Sequence, residues 1–256
     1  MKRQNWRKAL MGLAVLSLPV TMLYLSPLLT LQGAVRGVVT SSLIFVILAA
    51  TIAFFAGRVF CGWICPGGAV QEILFPANDR RLGGGRADYI KYGIAAAWLG
   101  ALIYLFIRAG GVKSVIPLFG IESGLSLSSG KTYVMFYIAM GGMAFLSLML
   151  GRRPFCRYGC LLAPFMIGGR KAARAAGTPC LRLEAESEKC IHCKLCTKAC
   201  PMSIDVHGLV TAGDMFSPEC ISCGACVDVC PKAVLTLAWG SMAKKRDGDG
   251  AAKEQL

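Results

Sequence analysis

The sequence predicts an all-α polytopic membrane domain, with four transmembrane helices in two duplicated pairs, followed by a small cysteine-rich domain. Three observations support this prediction. Hydrophobic residues make up 55% of the 256 residues and the mean hydropathy is +0.56, which is too apolar for a soluble chain of this length. The apolar residues fall into four separate blocks, and the C-terminal part contains one cysteine pattern twice.

Each apolar block is close to the ~20 residues that a helix needs to cross a bilayer. No charged residue lies inside a block, and Lys91 lies at the end of one. Apolar side chains occur all around each predicted helix, which is typical of helices surrounded by lipid or by other apolar helices. The four blocks are Ala9–Thr30, Val38–Ala56, Tyr89–Ile107 and Thr132–Leu150.

Basic residues are concentrated on one side of the predicted membrane domain. The positive-inside rule therefore predicts a multi-pass protein of the bacterial cytoplasmic (inner) membrane, with both termini and the cysteine-rich domain in the cytoplasm. The first block also has features of a signal peptide, but its apolar run is longer than usual and no A-x-A site follows it. The basic residues on the predicted inner side include Lys2, Arg3, Arg7, Lys8, Arg58, Arg80, Arg81, Arg86, Lys91, Arg152, Arg153, Arg157, Arg170, Lys171 and Arg174.

The second and fourth blocks end in related motifs, GRVFCGWICP at residues 57–66 and GRRPFCRYGC at residues 151–160. This recurrence indicates an internal duplication. If a helix continues through each motif, the spacing of four places both sulfurs on one face. Two interpretations stay open. The cysteines bind a further metal or iron–sulfur centre or act as redox-active thiols, or they are small apolar residues packed at helix ends. The four residues are Cys61, Cys65, Cys156 and Cys160.

The C-terminal part contains two copies of Cys-x-x-Cys-x-x-Cys-x-x-x-Cys-Pro, at residues 190–201 (the first ladder) and 220–231 (the second ladder). Three cysteines separated by two residues bind one [4Fe–4S] cluster, and the fourth, followed by proline, ligates the other cluster. Zinc is the alternative, but a zinc ion needs only four thiolates and has no use for this longer pattern. We therefore assign Cys190, Cys193, Cys196 and Cys230 to cluster 1, and Cys220, Cys223, Cys226 and Cys200 to cluster 2.

The two ladders resemble those of bacterial two-cluster ferredoxins, and this resemblance implies a small α+β domain whose two pseudo-symmetric halves enclose two [4Fe–4S] clusters. We therefore expect four regions. Residues 1–166 form the transmembrane domain with Cys-x-x-x-Cys motifs at 61–65 and 156–160, and residues 167–180 form a basic linker. Residues 181–240 form the ferredoxin-like domain, and residues 241–256 form a charged, disordered tail.

The whole chain resembles the membrane-bound polyferredoxins, such as the NapH-type and MauN-type proteins and the C-terminal half of the NosR-type proteins. The resemblance rests on four apolar blocks, CGWICP after the second, Cys-x-x-x-Cys after the fourth, and the ladders. It implies electron transfer between the quinone pool and a dedicated redox partner. One feature departs from the family pattern: Leu161 follows Cys160 where better-known members have proline, and the proline comes at Pro164.

The sequence argues against several other functions. Its two histidines, His192 and His207, both lie in the ladder region, so the predicted spans lack the histidine ligands of a transmembrane haem. The spans also lack Asp and Glu, which argues against proton pumping by side chains. No nucleotide fingerprint is present, and the net charge of +14 follows from the basic helix ends, which argues against a nucleic-acid partner.

Two functions remain. The first is an electron-transfer subunit of an oxidoreductase system, rather than an enzyme alone, with the membrane, other subunits of a redox complex and a quinone as partners. The second is a redox-sensing or iron-sensing protein, or a maturation factor for a metalloenzyme. Electron exchange with quinones distinguishes the two.

Overall fold

The computed structural model describes residues 2–21, 24, 26–117, 119 and 130–241, with backbone alone at 130–133. The tail expected at 241–256 lies outside the described residues from 242 onward. The nine α-helices described before the ladders are α1 (Lys2–Leu16), α2 (Leu18–Thr21), α3 (Pro27–Val35), α4 (Ser41–Ala56), α5 (Val59–Trp63), α6 (Pro66–Ile73), α7 (Ile90–Arg108), α8 (Gly130–Leu150) and α9 (Leu162–Ala176). Two short strands, β1 (Val38–Val39) and β2 (Ser114–Val115), pair in parallel.

The described part of the chain is mostly helical and contains one helix that alone is long and apolar enough to cross a bilayer, residues 86–108. A second span results if α4 and the helical stretch Val59–Ile73 count as one, although they are bent by 95°. α8 has 21 residues, of which Val134–Leu150 form a shorter apolar helix. Of the four expected transmembrane helices, one is therefore a candidate span by itself.

The first apolar block is not one helix. It is divided among α1, α2 and α3, whereas the sequence predicted a single span over Ala9–Thr30. Pro27 begins α3, and the preceding Ser26 has an extended backbone (φ −80°, ψ 119°). Proline provides no N–H for a continuous helix and disfavours the helical conformation in the residue before it, so the helix restarts at this point.

Three helices expose long apolar faces. On α4 these include Ile47, Leu48 and Phe55, each more than half exposed. On α7, Ile103 and Ile107 are also exposed, as are several large side chains of α8. Exposed apolar surface of this extent is unusual for a soluble monomer, because it gains nothing from contact with water.

Helix α9 packs along α4. At Gly169, a Cβ atom would lie 2.6 Å from the carbonyl oxygen of Ala50, so only glycine allows the two backbones to approach this closely. The residues of α9 that face the interior include Met166 and Arg170. The segment expected as a linker, residues 167–180, is thus divided between the second half of α9 and the start of the strand that follows.

The cysteine-rich domain contains a two-stranded antiparallel sheet and three short helices. The sheet pairs its first and last segments, with Leu183 opposite Leu237. Two of the helices lie thirty residues apart, as the ladders do, which makes the halves structurally similar. The elements are β3 (Pro179–Ala185), α10 (Leu195–Lys198), α11 (Val206–Ala212), α12 (Ala225–Asp228) and β4 (Leu235–Ser241).

The second ladder docks directly on α5. The Nε1 of Trp63 donates to the carbonyl oxygen of Ser222 at 3.2 Å, and the Nη1 of Arg170 donates to that of Cys220 at 2.7 Å. At Gly62 a Cβ atom would lie 2.3 Å from the carbonyl oxygen of Ile221. The helical domain and the cysteine-rich domain therefore share one tightly packed interface.

Two carboxylates near this interface each pair with two buried cations. Glu72 of α6 contacts Arg7 and Arg153, while Glu219 contacts Arg58 and Lys91. Burial tends to raise the pKa of Glu72, but Arg153 and Arg7 outweigh it and hold the pKa below its usual value. All four cations are at most 2% exposed, so their charges depend on these carboxylates for compensation.

We expect Gly62→Ala to weaken the interface, because the new methyl group collides with backbone that cannot rotate away. Overpacking of this kind costs about 1–3 kcal/mol, which thermal unfolding of the full chain in detergent would measure as a lower midpoint. Gly93→Ala is the matched control, since a Cβ atom there meets nothing within 4 Å and alanine favours a helix. Equal midpoints for the two variants would contradict the packing argument.

We expect Glu72→Gln to destabilise the chain by about 3 kcal/mol, because it leaves Arg7 and Arg153 buried without a compensating charge. Glu186→Gln is the control, since Glu186 forms an exposed pair with Lys189 and its loss changes little. The measurement is urea unfolding in the same detergent, followed by circular dichroism. A loss no greater than that of the control variant means that the buried network contributes no net stability.

Candidate metal centres

The eight ladder cysteines line two cavities, and each cavity receives four of them. The fourth cysteine of each ladder lies with the first three cysteines of the other ladder, which is the grouping that cross-ligated clusters require. The assignment of individual ligands stays a prediction. The first cavity is lined by Cys190, Cys193, Cys196 and Cys230, and the second by Cys200, Cys220, Cys223 and Cys226.

The backbone repeats an uncommon conformation in both ladders. Left-handed residues occur at three equivalent positions thirty residues apart, five of the six being non-glycine residues, for which this conformation is strained. Left-handed residues next to right-handed ones direct successive backbone N–H groups to the same side, which favours an anionic group. The pairs, with their φ angles, are His192 (55°) and Ser222 (52°), Lys194 (58°) and Gly224 (72°), and Ser203 (57°) and Ala233 (49°).

The two cavities differ in exposure. At the first, Cys193 is exposed and Ile191 is 54% exposed. At the second, Cys223 and Cys226 are buried, and Ile221 is 2% exposed. The first cavity therefore lies near the surface of the protein, and the second faces the helical domain.

The chemistry of the two cavities fits iron–sulfur clusters. Burial, together with the nearby Cys223, raises the pKa of the Cys200 thiol to about 12. Burial also raises the pKa of Cys226, and the neighbouring Cys220 and Cys223 raise it further. Four thiols that repel one another as thiolates need a strongly positive group between them, and iron supplies that charge and removes the thiol protons.

The Cys-x-x-x-Cys motifs do not lie on continuous helices, so the one-face arrangement that a continuous helix would give does not apply. α5 ends at Trp63, and Pro66 starts α6 immediately after Cys65. The Cys65 N–H donates to the carbonyl oxygen of Phe60 at 2.9 Å, five residues back. In the second motif, Phe155–Gly159 forms a π-helical turn. Both motifs therefore contain a widened turn, a feature often found at functional sites.

The four thiols of these motifs are nevertheless near enough for their charges to influence one another. Burial raises the pKa of Cys65, and negative charge on Cys61, Cys156 and Cys160 raises it further. Burial and the neighbouring Cys156 raise the pKa of Cys160 to about 12. In addition, the sulfur of Cys61 lies 3.4 Å from the sulfur of Met166, and the Nε2 of Gln71 donates to the sulfur of Cys156 at 3.2 Å.

Two buried arginines accompany the four thiols, and from the sequence they are explained by the positive-inside rule alone. Arg58 and Arg153 each precede the first cysteine of a motif by three residues and are at most 1% exposed. Arg153 donates to the carbonyl oxygen of Cys61 at 2.8 Å. Its positive charge also acts to lower the pKa values of Cys156 and Cys223, against the effect of burial. The equal spacing of arginine and cysteine in both motifs was the signal that could have identified them.

His207 lines the first cavity, and His192 lies against His207. His192 Nδ1 and His207 Nε2 are 2.9 Å apart, and their rings meet edge to face. With Cys190 they form the one group of three ligand-type side chains, among the residues that the structure describes, whose donor atoms all lie within 4.8 Å. The side chain of His192 is exposed.

Two family models match the chain. A 4Fe–4S binding domain matches residues 38–83 and 132–166, which include both Cys-x-x-x-Cys motifs. A 4Fe–4S dicluster domain matches residues 182–231, which include both ladders. Together with the two four-cysteine cavities, the second match indicates two [4Fe–4S] clusters as the cofactors of the chain.

The chain is similar to proteins of several organisms. It is 29% identical to an uncharacterized protein of Methanocaldococcus jannaschii over 66% of this chain and 61% of that protein. It is 25% identical to the methylamine utilization ferredoxin-type protein MauN of Methylorubrum extorquens, over 68% of this chain and 59% of the relative. The regulatory protein NosR of Stutzerimonas stutzeri is 26% identical over 54% of this chain and 21% of its own length.

No solved structure matches the chain. The chain covers about three fifths of the M. jannaschii and MauN proteins, so their whole-protein activities do not transfer by similarity alone. Three findings agree: the two matched domains, the interleaved ladder cysteines, and the relatives MauN and NosR. They support a polyferredoxin-type 4Fe–4S protein family for this chain.

Proposed function

We propose that this protein is a membrane-anchored electron-transfer protein that exchanges electrons between the quinone pool and a redox partner through its two [4Fe–4S] clusters. One observation carries the proposal: a single buried core connects the Cys-x-x-x-Cys motifs to the second cavity. This core contains Cys61, Cys156, Cys223 and Cys226. Such continuity has no use in a freely diffusing carrier, but a protein that links a membrane reaction to a cytoplasmic one needs it.

The membrane anchoring is supported by the exposed apolar faces of α4, α7 and α8. Contact of these apolar faces with water is unfavourable, whereas contact with lipid acyl chains is not. We propose the sequence-derived topology for this anchor: a multi-pass protein with both termini and the ferredoxin-like domain in the cytoplasm. The region 1–166 is then the membrane domain, and residues 181–240 are the ferredoxin-like domain.

The residues around the proposed clusters have three roles: they bind the clusters, compensate their charge and exclude water. The ladder cysteines hold the clusters with the cross-ligation assigned above, and the clusters supply one-electron chemistry. Arg153 interacts electrostatically with both Cys156 and Cys223, so its positive charge stabilises negative charge at either residue. Ile221 and Met202 are nearly fully buried and keep water out of the second cavity. The exposed first cavity is the side at which a soluble partner can approach.

We propose further that Cys61, Cys65, Cys156 and Cys160 hold an additional iron–sulfur centre. The proximity of the four thiols and the 4Fe–4S domain match over both motifs support it. Arg58 and Arg153 favour thiolates at this position, because their buried positive charges offset those of the sulfur ligands. A purely structural role for the cysteines does not account for two cations at matching positions.

A second candidate function is a redox-sensing or maturation role. The relative NosR is a regulatory protein, which favours this role. The relatives MauN and NosR together suggest that this chain works beside other subunits of a redox system. Both candidates use the same clusters. They differ in whether a quinone exchanges electrons with them.

The central test uses the full-length protein, purified anaerobically in lipid nanodiscs and reconstituted with iron and sulfide. We expect a short-chain quinol to reduce the clusters, or the matching quinone to oxidise them, as measured by visible absorbance and EPR. Nanodiscs with quinol but without protein are the control. Clusters that respond to dithionite but to no quinol or quinone, while maturation of a redox enzyme still depends on this protein, favour the second candidate instead.

The additional centre is tested with the double variant Cys61→Ser and Cys156→Ser. We expect the wild-type protein to contain more iron and sulfide than the about eight atoms of each that two [4Fe–4S] clusters require, and the variant to lose this excess. Cys180→Ser is the matched control, because Cys180 is buried but belongs to neither motif nor ladder. Equal iron content in the wild-type protein and the double variant disproves the additional centre.

A further inference from the structure

A cavity of about 350 Å³ lies beside the second cysteine of each Cys-x-x-x-Cys motif. It is enclosed by α4, α8 and the two motifs, and it is partly open. Cys65 and Cys160 both line it, and so do the aromatic side chains of Phe45, Phe60 and Phe155. Its volume lies within the usual range for small-molecule sites, which is about 300–1,000 Å³.

The wall of the cavity is apolar and suited to a flat ring. Phe45 and Phe60 meet edge to face with centroids 5.2 Å apart, and Met140 and Met143 add polarizable thioethers from α8. Apolar cavities of this kind hold no stable water, so an apolar occupant is favoured. Aromatic side chains pack against planar rings in offset or edge-to-face geometry.

A few polar groups interrupt this apolar wall. The sulfur atoms of Cys65 and Cys160, which we propose as ligands of the additional centre, are two of them. Gly67 is a third lining residue, and its N–H belongs to the first turn of α6, where amides have no intrahelical acceptor. A ligand with a carbonyl oxygen on a ring finds a hydrogen-bond donor there, whereas a lipid acyl chain does not use one.

The position of the cavity favours a redox-active ligand. It shares Cys65 and Cys160 with the site that we propose as an additional centre, so an occupant lies in direct contact with the ligands of that centre. It also lies between α4 and α8, two of the helices whose outer faces are exposed and apolar. A lipophilic molecule dissolved in the bilayer therefore has a short route into it.

We propose that this cavity binds the ring of a lipophilic quinone, with its carbonyl oxygen directed to the start of α6 and its ring beside Cys65 and Cys160. The proposal rests on the function proposed above and adds the location and chemical class of the membrane-side reactant. Neither of the two matched domains assigns a quinone site to these residues.

The test fills the cavity from α8. Ala139 lines it and is half-buried, so Ala139→Phe places a ring where the quinone is proposed to lie. Ile138→Phe is the matched control, because Ile138 is the neighbouring residue and is 69% exposed. Binding of decylubiquinone and of a short-chain menaquinone is measured on full-length protein in nanodiscs by calorimetry. We expect at least a tenfold loss of affinity in Ala139→Phe and none in Ile138→Phe.

Three results separate the possible outcomes. Equal affinity in both variants, with quinol still reacting with the clusters, overturns this binding site but leaves the proposed function intact. Failure of every quinone to bind the wild-type protein or react with it overturns both. Co-purified phospholipid that no quinone displaces identifies the cavity as a lipid site and also overturns the inference.

A second measurement avoids dependence on the folding of the variant. If Ala139→Phe loses cluster iron, an azido-quinone photolabel is applied to the wild-type protein, and the labelled peptides are identified by mass spectrometry. Labels within residues 135–143 or 60–67 support the site, provided that excess decylubiquinone prevents them. Labels confined to other helices overturn it.

Discussion

The arrangement of this protein depends on buried positive charge at the junction of its two domains. Arg153 donates to the carbonyl oxygen of Cys61 and pairs with Glu72. Its positive charge also acts to lower the pKa of Cys223 in the second ladder. Arg58 has the same position in the other motif and pairs with Glu219, the residue before Cys220. A buried cation without a partner is strongly unfavourable, so these contacts fix the two motifs and the second ladder relative to one another. Both charges also oppose the rise in the pKa of Cys156 that its burial causes.

Close packing adds a second constraint at the same junction. Gly62 allows the carbonyl oxygen of Ile221 to approach α5, and Gly169 allows α9 to approach α4. α9 begins directly after the second motif and leads into the cysteine-rich domain, so a rigid helix rather than a free tether joins the two domains. This packing explains why the second cavity is buried beneath the motifs while the first remains accessible.

The sequence alone was sufficient for the ladders, because their spacing is dictated by the geometry of the cluster. The thirty-residue repeat of left-handed residues such as His192 and Ser222 follows from the same requirement. The sequence was less informative for the membrane domain. An apolar run reports only composition, so it could not show that the helix restarts at Pro27 or that α4 and the following stretch are bent by 95°. The burial of Arg58 and Arg153 could not be predicted either, because the positive-inside rule accounts for a basic residue at a helix end whether it is buried or exposed.

The two cavities differ in exposure, so the two ends of the molecule differ in what can reach them. The Cys-x-x-x-Cys motifs and the second cavity share one buried core, and the first cavity reaches the surface at Cys193. Under the function proposed above, a water-soluble partner approaches the exposed cavity and a lipophilic reactant the apolar one beside Cys65 and Cys160, so the two reactants are kept apart. An electron exchanged between them would then pass through the centres that the chain holds. A ferredoxin-like domain without the helical domain would lack this separation.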